Sequence, residues 1–286
     1  MTLPDHDTQK HRGTKKKLPR CVVFKSMLLR TATLVVLALF LATPARADEI
    51  KVMTSGAFTE AYQQLVEQFQ KTTRHSVVTT FGASMGGAND SIPVRLDRGE
   101  PVDVVIVIES ALEPLIKSGH IASASRVQLA RSMIGIAVRK GAPRPDISSV
   151  AALRQTLLQA NSIAYSASAS GTYISTEMFK RLGIAEQVKG KSQRIESERV
   201  GAVVARGDAE IGFQQVSELL PVAGIDYVGL LPAEVQQVSI VTAAITTKAS
   251  SRSAAQALID FLASPAAAAT IRKTGLEPIA EARSHR

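Results

Sequence analysis

The chain has 286 residues, 45% of them apolar and 21% charged, a composition that excludes wholesale disorder and collagen-like repeats. Its formal net charge of +9 suggests a nucleic-acid or membrane partner, but residues 1–47 hold nine basic and two acidic residues and leave 25 basic and 23 acidic ones for the rest. The body of the chain is therefore nearly neutral, and with 4% aromatic residues it carries no nucleic-acid footprint.

The first element is apolar. Residues 32–42 read ATLVVLALFLA, eleven residues with only Thr33 not apolar. A bilayer span needs about 20 apolar residues, so this run has the length of a signal-peptide core instead. Arg30 precedes it and Ala45-Arg46-Ala47 follows as an A-x-A cleavage site. Cleavage after Ala47 predicts an exported, periplasmic chain that starts at Asp48. Met27-Leu28-Leu29-Arg30 would open a conventional signal by itself, which points to Met27 as an alternative translation start. Cys21 lies in this leader, so the mature chain has no thiol or disulfide chemistry.

After the leader, strand and helix patterns alternate. Residues 50–53 form a short apolar strand, and Phe58, Ala61, Tyr62, Leu65, Val66 and Phe69 recur at helical spacing. A strand at 77–81 leads into Gly82-Ala83-Ser84-Met85-Gly86-Gly87, then a helix at 92–98 with Pro93 in its first turn. The run at 102–108, apolar except for Asp103, is the pattern of a buried parallel strand. Strands follow at 132–138, 162–165, 210–214 and 238–246, and helices at 150–158, 172–182, 200–205, 254–262 and 266–273. Such alternation predicts parallel sheets covered by helices, with ligands bound where strand C-termini meet helix N-termini.

His75 and His120 stand outside any metal-ligand spacing and read as surface residues, so neither metal nor cofactor is expected. Gly82-Ala83-Ser84-Met85-Gly86 fits G-x-S-x-G between a strand and a helix, the local context of a hydrolase nucleophile elbow. Only two strands precede it, and His120 and His285 are the only downstream histidines. The distributed signal is stronger. Thr54-Ser55-Gly56-Ala57, Gly82-Ala83-Ser84 and the turn at 166–171 are small, hydroxyl-rich and placed before helices. Serine is a preferred helix cap, yet three such turns with no lysine or arginine nearby suit a small anion held by neutral donors. Hydrogen bonds to a charged group contribute about 1.5–3 kcal/mol each, so five or six could offset the desolvation of a small anion.

Several stretches resemble the periplasmic solute-binding proteins of ABC importers, specifically the molybdate-binding branch. Residues 51–62 look like that family's first strand and helix, and Phe81-Gly82-Ala83-Ser84 like its second binding loop. Gly99-Glu100-Pro101-Val102-Asp103-Val104-Val105-Ile106 looks like its G-x-P-x-D-V-x-I segment. Residues 171–183 look like its G-x-Y…LG helix, and 261–276 like its closing helix pair.

The resemblance implies an α/β fold of two Rossmann-like lobes joined by a two-stranded hinge, the type II periplasmic binding fold. Lobe 1 would comprise residues 48–131 and 236–286, and lobe 2 residues 132–235. It further implies a monomer that performs no covalent chemistry. Such a protein closes on a small anionic solute, with molybdate or tungstate the leading candidate, and hands it to a membrane permease. Residue by residue, the family's first-loop serine aligns with Ala57, with Ser55 two positions earlier and Gly56 between them. Its second-loop serine aligns with Ser84, and Met85 beside it is expected to line the pocket. The alanine before the helix glycine, Gly171, aligns with Ser170. The family's valine aligns near Ser197, and its hydroxyl-donating tyrosine aligns with Gln215, whose amide both donates and accepts. Glu196 and Glu198 would repel a dianion if they pointed inward. A small organic acid explains these departures equally well, and a sensor partner of a membrane kinase would use the same fold. A secreted serine hydrolase using Ser84 is the alternative of another class.

Overall fold

The computed structural model describes residues 47–196 and 198–279. The signal sequence, the start at Met27, Cys21 and Ser197 lie outside the described residues.

Two groups of strands share one long strand. In chain order the strands are β1 (Glu49–Thr54), β2 (Ser76–Phe81), β3 (Val104–Ile108), β4 (Val127–Arg139) and β5 (Ile163–Ser166). They continue with β6 (Ser192–Ile195), β7 (Ile211–Gln215), β8 (Ile225–Leu230), β9 (Val238–Ile245) and β10 (Glu277–Pro278). The main path runs β2-β1-β3-β9-β4-β7-β5-β6, with β8 and β10 paired to β4.

The first group, β2-β1-β3, is parallel, as the alternation predicts. So is the β7-β5-β6 set of the second group. The prediction of parallel sheets fails at the junction, where β9 lies antiparallel to both β3 and β4. The first half of β4 pairs with β9 from Val127 to Met133, and its second half pairs with β7 from Ile134 to Val138. One strand thus leaves the first group for the second while β9 returns beside it. Two chain segments running in opposite directions must pair antiparallel, and they form a two-stranded connection between two α/β halves.

Each half has its own core. The stripe at 58–69 packs the helix Thr59–Thr72, whose buried residues include Ala61, Tyr62, Leu65, Val66 and Phe69, onto the first sheet beside Ile50, Val52 and Ile106. A side chain of this size contributes about 1.5–3 kcal/mol when fully buried. The C-terminal helices Arg252–Leu262 and Pro265–Lys273 cover the same cluster through Leu258, Leu262 and Ile271. The second core gathers Ile134, Ile136, Ile163, Ile211 and Phe213 under Leu153, Ile174 and Met178.

Asp103 locks the first half together. Its carboxylate, 1% exposed, accepts hydrogen bonds from Lys51 N (2.8 Å), Ser250 N (2.7 Å), Ser250 Oγ (2.9 Å) and Ser251 N (3.3 Å). Burial alone would push this carboxyl up. The donors from Lys51, Ser250 and Ser251 outweigh it and hold the group below the usual aspartate range.

Candidate functional site

Strand ends and the turns after them meet around a cleft of about 430 Å³. Ser55 follows β1 and its backbone N–H is anchored to Ile106 O at 2.9 Å. Its hydroxyl is buried, 4% exposed, and has no hydrogen-bond partner. A buried hydroxyl at a cleft wall without a partner is costly unless something in the cleft completes it. Ser84, in the loop after β2, accepts from Ile108 N at 3.3 Å. Ser166 closes β5, and its hydroxyl shares hydrogen bonds with Ser168 (2.9 Å) and Ser170 (3.1 Å). Gly171 lies directly under Ser166. A Cβ there would overlap the Ser166 carbonyl, so only glycine lets the serine turn fold back onto the helix that starts at Ala169.

The end of β7 and the turn after it close against the turn at Gly56 and Ala57. Gln214 accepts from Val200 N at 2.9 Å, which fixes its amide so that Nε2 donates to Glu218 Oε1 at 3.1 Å. The Glu218 carboxyl rests against Gly56, where any Cβ would overlap Oε1. Ser217 donates to Ala57 O at 2.6 Å and pins the same two turns together.

Charge enters this cleft, contrary to the expectation of purely neutral donors. Arg199 lines it and pairs with Glu60 at 2.8 Å. The two residues are 139 positions apart, which is why no local pattern announces the cation. Glu198 also lines the cleft but is held by both guanidinium nitrogens of Arg206 (2.7 and 3.0 Å), and Glu196 sits 3.4 Å from Arg194. Glu218 has no such partner. Burial pushes its carboxyl up to about 7, against the smaller opposing pulls of Arg199 and Gln214.

Of the residues expected to bind ligand, Ser55, Gly56, Ala57, Ser84, Ser170 and Gln215 line this cleft together. Met85 faces a neighbouring cavity of about 380 Å³ and packs on the core around Ile92 and Leu96. Gly171 supports the serine turn from behind. The Gln215 amide is engaged with the connecting strands: Ser132 of β4 donates to its Oε1 at 2.7 Å, and its Nε2 donates to Ser239 of β9 at 3.3 Å. Ser166 and Ser168, from the turn singled out at 166–171, also line the cleft, as do Arg199, Gln214 and Glu218, which the sequence reading did not expect to bind ligand. The i, i+4 spacing of Gln214 and Glu218 just past a buried strand was the available signal.

No histidine lines the cleft. His120 is held by Asp97 at 2.8 Å, and His75 stacks on Phe69 with centroids 6.0 Å apart, so among the described residues Ser84 has no histidine base of the kind a serine hydrolase needs; His285 lies outside the described residues. Among the described residues no group of His, Cys, Asp and Glu could hold a metal ion.

The family model of bacterial extracellular solute-binding proteins matches residues 50–277. An aconitate isomerase from Pseudomonas sp is 43% identical over 258 residues, which cover 88% of this chain and 98% of that protein. The molybdate-binding protein ModA of Azotobacter vinelandii is 29% identical, covering 82% of this chain and 92% of its own length. The solved structure of the Azotobacter vinelandii periplasmic molybdate-binding protein superposes with a TM-score of 0.64 at 23% identity, covering 79% of this chain and 98% of that one. That likeness establishes the fold, with its two α/β lobes and two-stranded hinge. The expectation of a protein without covalent chemistry is overturned by the 43% identity to an enzyme.

Proposed function

The chain belongs to the bacterial extracellular solute-binding protein family, and we propose that it uses this fold to isomerise aconitate or a closely similar unsaturated tricarboxylate. The observation that carries the proposal is the cleft itself: neutral hydroxyl donors and one arginine line it together with a carboxyl, Glu218, that burial pushes up to about 7. An ionised carboxyl in the wall would repel a dianion, whereas moving a proton between two carbons of a polyanion needs a general base, a role a carboxyl of this kind can fill. The cleft of about 430 Å³ has room for a six-carbon acid. The similarity to the Pseudomonas aconitate isomerase supports the same reading.

On this proposal residues 48–131 and 236–286 form one lobe and residues 132–235 the other, hinged at β4 and β9 and closing over the substrate. Ser55, Ser84, Ser168 and Ser170 hold carboxylate oxygens, and Arg199 supplies the positive charge. We place the mature chain outside the cytoplasm, beginning at Asp48. A second reading, capture of an oxyanion for an ABC permease, draws on the 29% identity to a molybdate-binding protein.

The test is to incubate the chain from Asp48 onward with cis-aconitate or trans-aconitate and follow the vinyl proton by NMR. Approach to one mixture from both isomers is the expected result. Tight binding of aconitate without interconversion returns the protein to the role of a carrier. Stabilisation by molybdate and tungstate alone replaces the tricarboxylate with an oxyanion.

A further inference from the structure

We propose that Glu218 is the single proton carrier of the isomerisation, taking a proton from the substrate's methylene carbon and returning the same proton to its vinyl carbon. The inference rests on the reading of the cleft as an aconitate site and adds which residue does the chemistry. The other carboxyls near the cleft are committed or exposed. Glu60 holds Arg199 at 2.8 Å, Glu198 holds Arg206 through two nitrogens, Glu196 lies 3.4 Å from Arg194, and Asp90 is exposed in the loop after β2. Glu218 is held by a neutral amide alone, and that amide is oriented from behind by the Val200 N–H. The chain Val200–Gln214–Glu218 keeps the carboxyl pressed against the Gly56 turn, in the wall that also carries the unpartnered Ser55 hydroxyl.

The proposed chemistry balances without any co-reactant. Aconitate is a propene carrying one carboxylate on each carbon, so its methylene and vinyl carbons are the two ends of an allylic unit. The methylene C–H bond breaks, a Glu218 oxygen takes the proton, and the electron pair spreads over the three carbons and their carboxylates. Arg199 on the same wall stabilises this added negative charge. The bond between the central carbon and the former methylene carbon gains double-bond character, and the conformation in which the cleft holds that bond sets the geometry of the product. Glu218 then gives the proton to the former vinyl carbon, and a double bond forms between the central carbon and the former methylene carbon. Starting and final states hold the same atoms, electrons and protons, with only the geometry about the double bond changed.

The experiment compares the wild-type chain with Glu218→Gln and Glu218→Asp, on aconitate in D₂O, recording isomerisation, the deuterium content of the product and, by calorimetry, binding of trans-aconitate. Wild-type product carrying clearly less than one solvent deuterium per turnover is expected, and a full deuterium in every product overturns the return of the same proton. Glu218→Gln is expected to lower kcat about 10²–10⁴-fold while Kd stays within about threefold, and Glu218→Asp to recover at least about tenfold over the glutamine variant. The wild-type kcat/KM falls tenfold per pH unit below about 7, where the carboxyl is protonated. The charged groups around it are Arg199 with Glu60, Glu196 and Glu198 from the loop before Arg199, and Asp90 across the cleft. That pH slope is absent from the residual activity of Glu218→Gln. A glutamine variant that keeps more than about a tenth of kcat beside an active wild type overturns the assignment of Glu218 and leaves the isomerase reading standing. A wild type that binds aconitate but neither isomerises it nor exchanges its methylene protons overturns both.

Discussion

Two carboxyls removed from bulk solvent, Asp103 before β3 and Glu218 after β7, have opposite fates. Asp103 collects four donors from Lys51, Ser250 and Ser251, so its charge is stabilised and knits β1 to the loop before the helix Arg252–Leu262. Glu218 collects one amide, so burial wins and its carboxyl titrates near neutrality. The lesson is that burial by itself assigns no role to an acid. The number of donors supplied decides whether the group serves as a structural anchor or keeps a proton available for exchange.

Removing the anchor is the largest expected effect. Asp103→Ala leaves three backbone N–H groups and a serine hydroxyl without their acceptor and should destabilise the chain by about 3–5 kcal/mol, read as a fall in urea midpoint. Should that variant unfold like the wild type, the anchor reading is wrong. Displacing the Glu218 carboxyl without deleting it comes next. Gly56→Ala inserts a methyl where Oε1 sits, and a shift of about 1 Å at a reacting group costs roughly a hundredfold in kcat. Full activity in this variant would show that the carboxyl works from some other position.

The two acids also predict opposite pH slopes. For Glu218 the folded value of about 7 lies above the unfolded value of 4.5, so the folded state keeps a proton that the unfolded chain has lost. That contribution is fully present below about 4.5 and disappears as pH rises through about 7. Glu218→Gln should therefore gain about 1–3 kcal/mol relative to wild type at pH 8 and little at pH 4, measured by denaturant titration. For Asp103 the folded value is depressed, so its stabilisation is present above the unfolded value of 3.8 and is lost as pH falls through the folded one. The smallest effect belongs to the Glu60–Arg199 pair. Both members are partly exposed, and Glu60→Gln, which removes the negative charge beside Arg199, should tighten aconitate binding about threefold, an effect that added salt shrinks.

Much of the architecture was legible because it rests on short-range periodicity. The apolar stripe from Phe58 to Phe69, the unbroken run of β3 and the serine-rich turns each show their role within about ten residues. The first half of β4, Val127–Arg131, was missed because Gln128 and Arg131 break the apolar run, and its strand character comes from pairing with β9. Met85 belongs to the sequence motif of a binding loop yet turns into the adjoining cavity, since only the packing of Ile92 and Leu96 decides which way that loop faces. Gln215 aligns with a ligand-binding position, and its amide instead bridges Ser132 and Ser239 where β4 and β9 pair.

By itself the sequence determined the α/β class, the family and three of the turns around the cleft, because hydrophobic period and hydroxyl-rich turns are properties of neighbouring residues. Only the tertiary structure decided where charge sits in the cleft and what Glu218 is. Its state depends on desolvation by burial, on an amide held by Val200 and on the field of Arg199. Those are through-space effects among groups far apart in the chain, and they exist only once the two halves have folded against each other.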